Sequence, residues 1–143
     1  MGFFCLTQSS ERGFMFTLEI IQRGHVQFTG PDFPKLVAYF KDLGMVKNTV
    51  NVQTGQVTYE SADGKVLTNP GYQAISPVAK ETDREQFVRI LRSHQAGQTD
   101  FPTFCEETAQ AGVSQWVMDL DQMTCSYLDL SDQLVFVETV PTI

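Results

Sequence analysis

Apolar residues recur with helical spacing in four segments of the chain. The clearest stripe lies in residues 83–95, and it consists of Phe87, Val88, Ile90, Leu91 and His94. A weaker stripe occupies residues 17–28. Thr82 and Glu85 stand at the spacing of a capping box, so we expect Thr82 to cap the helix of residues 83–95.

Two further helices are predicted after the identical tripeptides Asp32-Phe33-Pro34 and Asp100-Phe101-Pro102. An aspartate accepts hydrogen bonds from the free N–H groups of a first helical turn, and proline is tolerated there because it needs no donor. Apolar residues then follow at helical spacing, and Gly44 and Gly112 are typical of helix C-termini. The chain therefore carries two pairs of consecutive helices.

Each helix pair is followed by segments in which apolar and polar residues alternate, as in strands with one buried face. Thr54-Gly55 and Asp63-Gly64 predict tight turns between such strands. We expect strands near residues 48–52, 57–59, 65–67, 116–120, 125–127 and 134–140, and a further strand over residues 72–75. Each half of the chain therefore combines a helix pair with an antiparallel hairpin or meander.

The two halves superimpose at an offset of 68 residues, which is the separation of Asp32 and Asp100. The same offset aligns Gly44 with Gly112 and Tyr59 with Tyr127. We therefore predict a duplicated helix–helix–hairpin unit in one domain of residues 15–143, with repeats of about 15–80 and 81–143. Residues 1–14 fit no periodic pattern and are interpreted as a tail or an upstream start.

The predicted fold class is α+β, with one antiparallel sheet shared by both repeats and covered by helices on one face. The other face is expected to meet water, because it collects polar residues. These residues are Asn51, Gln53, Gln56, Thr58, Asp119, Asp121, Thr124 and Ser126.

Composition places this chain of 143 residues among single globular domains, with 42% apolar and 19% charged residues. It has no apolar run of membrane-spanning length, and the opening residues lack the basic segment of a signal peptide. The three cysteines show no metal or disulfide spacing. We therefore expect a soluble, cytoplasmic protein with reduced thiols and without metal or cofactor, and the oligomeric state stays open.

Charge is unevenly distributed along the chain. Residues 1–99 hold all ten basic residues and nine acidic ones, whereas residues 100–143 hold eight acidic residues and no basic one. Such an excess repels phosphate backbones and argues against nucleic-acid binding. It is either a solvated surface or a patch that meets a basic protein partner or a cation, and Glu106 and Glu107 are the candidate contacts.

A longer string of residues carries a family resemblance. The string comprises His94-Gln95, Gly97, Thr99-Asp100-Phe101, Phe104-Cys105, Ala109, Gly112-Val113, Trp116, Asp119, Met123-Thr124-Cys125 and Tyr127. It resembles the YdfO-like family of enterobacterial and prophage proteins, which often carry the label phage envelope protein. The resemblance implies an α+β fold and no established function, and the label alone suggests a virion component.

Residue types that could carry chemistry are few. Cys105 and Cys125 align with Val37 and Val57 of the first repeat, which favours buried thiols over nucleophiles. His94 stands near a helix end, where it is either a capping residue or a general base. Asp119 and Asp121 place two carboxylates on one strand face, the arrangement of a cation site or of a solvated surface.

Trp116 replaces Asn48 of the first repeat and is either a core residue or an anchor for a partner. Our first hypothesis is a non-enzymatic accessory or regulatory protein that binds a protein partner through its acidic half or its polar sheet face. The alternative is a small-molecule-binding protein or an enzyme, with a cleft between the repeats lined by His94, Trp116 and Tyr127.

Overall fold

The computed structural model describes residues 16–28 and 32–140, which form an α+β fold of four helices and six strands. The helices are α1 (Leu18–Gln27), α2 (Phe33–Asp42), α3 (Arg84–Gln95) and α4 (Phe101–Gln110). The strands are β1 (Met45–Asn51), β2 (Gln56–Ser61), β3 (Val66–Pro70), β4 (Gln115–Asp119), β5 (Thr124–Leu128) and β6 (Leu134–Thr139). The predicted fold class is confirmed, and the predicted tail of residues 1–14 lies outside the described residues.

Three of the four helices begin with a side-chain cap. Asp100 accepts from the backbone N–H of Thr103 at 2.8 Å, as predicted. The prediction of Thr82 as the cap of α3 was wrong, because Asp83 accepts from Gln86 N at 3.0 Å instead. The predicted cap at Asp32 is also not formed, since its carboxylate makes no capping hydrogen bond.

All six strands form one antiparallel sheet in the order β3-β2-β1-β4-β5-β6. The central pair, β1 and β4, is aligned so that Thr49 lies opposite Val117. The strand predicted over residues 72–75 was wrong. That stretch is a connector beside the end of β1, where Ala74 N donates to Val52 O at 2.9 Å.

The two faces of the sheet differ sharply. The strand residues that are buried all lie on the face beneath the helices, and they are Met45, Tyr59, Ser61, Met118, Cys125 and Tyr127. All of these except Ser61 pack with Phe40 and Phe87, both almost fully buried, into the main core. The other face carries no buried side chain among the described residues, and we call it the open face.

The order helix, helix, strand, strand, strand occurs twice along the chain. Positive φ angles recur in the same frame, at Gly44 and Gly112, at Gly55 and Met123, and at Gly64 and Asp132. The pairing of β1 with β4 follows the same 68-residue offset, because Thr49 lies opposite Val117 and the two residues are 68 positions apart. Duplication of an ancestral unit stays a prediction that these regularities support.

Candidate functional site

The three residues predicted to line a cleft are joined by one aromatic chain. The His94 ring stacks on Phe104 at 4.3 Å between centroids, and Phe104 packs against Trp116 at 5.4 Å. Trp116 then contacts Tyr127 at 6.1 Å. The fold thus brings His94, Trp116 and Tyr127 into one cluster, with Phe104 between His94 and Trp116.

This cluster is packed against the core and does not line the groove that the structure shows. Tyr127 is 5% exposed, and Trp116 packs against both hydrophobic cores, the main one and a smaller one. The smaller core consists of Val52, Val78, Cys105 and Ala109. The groove, about 360 Å³ in volume, lies between α3 and α4 and is lined by Gln86, Arg89, Ile90, Ser93, Gln98, Thr99 and Glu107. Among the predicted site residues, only Glu107 borders it.

His94 is held by its local surroundings. Its Nδ1 lies 3.1 Å from the carbonyl oxygen and 3.2 Å from the hydroxyl of Thr99, just beyond the end of α3. One face of the His94 ring is stacked on Phe104. These contacts fix the ring at the helix end, and no carboxylate accepts a hydrogen bond from it within the described residues, so the structure gives it no partner for general-base catalysis.

Tyr127 belongs to a polar network that the sequence did not reveal. Its hydroxyl donates to Glu138 at 3.2 Å, and the same carboxylate accepts from Arg92 at 2.9 Å and from Gln95 at 2.8 Å. Burial raises the pKa of Tyr127 far above its ordinary value. The hydroxyl therefore stays protonated and acts as a donor that connects β5, β6 and α3.

Both described cysteines are buried and unreactive. Burial raises the pKa of Cys105 to about 12 and that of Cys125 to about 11. The thiolate is the nucleophilic form of cysteine, so neither residue supplies a nucleophile at neutral pH. The structure thereby agrees with the alignment of Cys105 with Val37, which is buried, and of Cys125 with Val57, which is partly buried.

In the first half of the chain, His25 lies beside Tyr59, the residue that aligns with Tyr127. His25 Nε2 lies 3.4 Å from the Tyr59 hydroxyl, and its ring packs edge-on against Phe40 at 5.3 Å. Burial lowers the pKa of His25 and raises that of Tyr59, so both side chains favour their neutral forms. This pair and the Tyr127 network occupy related places in the two halves.

Glu106 holds the connector between the two halves against α4. Its carboxylate accepts from the Tyr72 hydroxyl at 2.6 Å and from the backbone N–H groups of Ile75 at 2.8 Å and Ser76 at 2.9 Å. These hydrogen bonds, that from Tyr72 foremost, lower the pKa of Glu106 to about 2. The carboxylate thus accepts hydrogen bonds from the backbone N–H groups of Ile75 and Ser76, as a neighbouring strand would otherwise do.

We expect the Glu106→Gln substitution to loosen the connector and to lower the urea midpoint of unfolding, whereas Glu107→Gln should change it little. A carboxylate with a depressed pKa stabilises the fold at pH values above its ordinary pKa of 4.5, and that contribution disappears as pH falls towards about 2. The difference in midpoint between wild type and Glu106→Gln should therefore be constant near neutral pH and shrink below pH 4.5. A constant difference down to pH 2 would contradict this role.

The remaining acidic residues of the C-terminal half do not form one patch. Asp119 accepts from Asp121 N and Gln122 N at 2.9 Å in the β4–β5 turn. Asp129 accepts from Ser131 N at 2.8 Å in the β5–β6 turn, at the opposite end of the sheet. Caps and turns thus account for much of the acidic composition.

A cation site at Asp119 and Asp121 has little support from the geometry. Asp121 lies in the turn and not on the strand, so the two carboxylates do not share a strand face. The described part of the chain shows no group of three or more His, Cys, Asp or Glu side chains placed to hold a metal ion.

The open face has no element packed on it among the described residues. Its central row across the sheet is Thr68, Thr58, Thr49, Val117, Ser126 and Val137. Most of the predicted polar face lies here, whereas Gln53 and Asp121 lie in turns. The face also exposes apolar side chains at its outer strands, with Val66 56%, Leu134 58% and Val137 45% exposed.

No helix within residues 16–28 and 32–140 is long and apolar enough to cross a membrane.

The chain is similar to mycobacterial proteins and matches one family model. An uncharacterised protein of Mycobacterium bovis and two of Mycobacterium tuberculosis strains are each 39% identical over 103 residues, which is 71% of this chain and 62% of theirs. The chain thus spans less than two thirds of these relatives. The model of the family described as protein of unknown function (DUF1398) matches residues 24–139, and the chain therefore belongs to that family.

Proposed function

We propose that this protein acts by binding a protein partner, and that the open face is its docking surface. The observation that carries this proposal is the six-stranded sheet face that no described element covers and that exposes Val66, Leu134 and Val137. Antiparallel sheets tolerate one solvated face, but such faces are usually polar throughout. Apolar residues grouped on a solvent-facing surface are typical of interaction sites.

Binding is favoured over catalysis because the candidate reactive groups are occupied within the fold. The two buried thiols have raised pKa values, and Tyr127 is held by Glu138. His94 is stacked on Phe104. An active site normally presents such groups together in an accessible pocket.

The acidic surface is a weaker candidate for the docking surface. Glu106 is engaged with the connector, and the acidic turns lie at opposite ends of the sheet. Glu107 borders the groove between α3 and α4, and its carboxylate has no hydrogen-bond partner among the described residues, so it is the residue with which to test an acidic contact. The prophage link and the virion role rest on the family resemblance alone and stay proposals.

The test uses the purified full chain as bait and the Val117→Lys variant, which places a charge at the centre of the open face. The matched control is Val26→Lys on α1, whose side chain is 80% exposed and lies outside the sheet. A captured protein counts only if, once purified, it binds wild type and Val26→Lys but not Val117→Lys. Equal binding by all three would contradict docking on the open face, and sensitivity to Glu107→Lys alone would favour the acidic surface.

A further inference from the structure

We infer that the partner seated on the open face is a second copy of this chain, with the two sheets packed face to face. This inference rests on the proposed function, since it names the occupant of the same surface. It is carried by the symmetry of the register across the sheet and by the distribution of charge over the face.

The register makes the open face self-complementary. Consider a two-fold axis that lies between the two sheets, runs parallel to the strands and passes midway between β1 and β4. It places β1, β2 and β3 of one copy over β4, β5 and β6 of the other copy, respectively. In this arrangement Thr49 of one copy faces Val117 of the other, because these residues are direct neighbours in the sheet. Sheets pack in this aligned manner at about 10 Å separation and roughly 30° rotation.

The charges of the face then meet opposite or neutral side chains. Lys47 is the cross-strand neighbour of Asp119, so the axis brings Lys47 of each copy over Asp119 of the other. Glu60 lies in the same row, at the position related to Thr124, and therefore faces a neutral residue. No like charges are superimposed, and the two ion pairs lie at one end of the strands, where water reaches them.

The exposed apolar residues are covered in the same arrangement. Leu134 at one outer strand comes over Pro70 of the other copy, and Val137 comes over Thr68. In the single chain Leu134 is 58% exposed and Val137 is 45% exposed. The second copy thus buries the outer residues of β6 against β3, while threonines and valines meet at the centre.

The area of the open face can be compared with that of known stable interfaces. Six strands spaced by about 4.8 Å, each contributing five residues of about 3.3 Å, span roughly 475 Å² of flat sheet. Standard stable interfaces bury about 800 Å² of accessible surface per partner, and pleated side chains raise the accessible area above the flat area. Because area alone does not set affinity, and the centre of the face carries threonine, valine and serine side chains and no large aromatic anchor among the described residues, we expect a dimer that dissociates in the micromolar range.

Sedimentation velocity of the full chain from about 1 μM to about 500 μM, a range chosen around micromolar affinity, measures this dimer directly. We expect a concentration-dependent dimer in wild type and in Val26→Lys, and at least a tenfold weaker one in Val117→Lys and in Lys47→Glu. Lys47→Glu sets a carboxylate over Asp119 of the other copy, and raised salt should weaken the wild-type dimer through the same pairs. Far-ultraviolet circular dichroism and urea unfolding verify that each variant is folded.

The outcomes separate this inference from the proposed function. A wild type that stays monomeric throughout, or a Val117→Lys variant that dimerises as wild type does, overturns the second copy as occupant. If the chain is monomeric but a purified heterologous partner binds it in a Val117-dependent manner, the docking surface stands and only its occupant changes. If the chain is monomeric and no binding depends on Val117, both proposals are overturned.

Discussion

Gly112→Ala is expected to destabilise the protein by roughly 3 kcal/mol or more, whereas Gly44→Ala should cost only about 1 kcal/mol. The two glycines end α4 and α2 with nearly the same backbone, at φ angles of 89° and 87°. An alanine is strained at both angles, so this part of the cost is shared.

The difference comes from what surrounds the two positions. A Cβ atom at Gly112 would lie 2.6 Å from Glu81 O and 2.8 Å from Thr82 Cα, whereas nothing lies within 4 Å of a Cβ atom at Gly44. The atoms in contact are backbone atoms of the segment that leads into α3, so they can yield only if that segment moves. The segment is itself fixed by a hydrogen bond from Asp83 N to Ala111 O at 2.9 Å.

Urea unfolding followed by Trp116 fluorescence measures both variants, since Trp116 is the only tryptophan of the chain. Gly44→Ala serves as the control for backbone strain alone. If Gly112→Ala and Gly44→Ala lower the free energy of unfolding equally, the segment that leads into α3 must move to accommodate the added methyl group. Its contact with Gly112 would then be loosely packed.

The helices and most strands were predictable from the sequence because each buries one regular stripe. The errors lie where neighbouring residues compete or where a distant side chain intervenes. Thr82 and Asp83 are both good capping residues, and the backbone path decides between them. Residues 72–75 alternate as a strand does, but the Ile75 N–H donates to the side chain of Glu106 on α4, a distant contact that no local pattern contains.

The polar part of the open face was predicted, and its apolar part was not. Leu134 and Val137 are three positions apart, so a regular strand would place them on opposite faces. An irregularity in the β5–β6 register pairs them with Leu128 and Ser126, which share the open face. The candidate docking surface thus depends on a bulge that alternation alone does not reveal.

The two halves differ in packing at the position of Asn48 and Trp116. Trp116 stands where the first half has Asn48, and the Asn48 Oδ1 atom is buried without a hydrogen-bond partner among the described residues. Trp116 fills the corresponding space with aromatic contacts to Phe101, Phe104 and Tyr127. The second half is therefore the better packed one at this point, which bears on whether Trp116 is a core residue or a binding anchor.

Trp116→Ala is expected to lower the free energy of unfolding by about 3 kcal/mol, the lower part of the range for replacing a large buried aromatic residue, because the side chain stays partly exposed. Its indole packs against both hydrophobic cores, so its removal leaves a cavity where they meet. Phe101→Ala is the matched control, since Phe101 contacts Trp116 but is 44% exposed, and it should cost less than about 1 kcal/mol.

Circular dichroism at increasing urea concentration is the appropriate measurement, because Trp116→Ala removes the only tryptophan. A large loss for Trp116→Ala and a small one for Phe101→Ala would assign Trp116 to the core and leave the open face as the binding surface. If both variants unfold near the wild-type midpoint, the indole contributes little to folding. Its aromatic surface would then be free for a ligand or partner, and the cluster with His94 and Tyr127 would return as the candidate site.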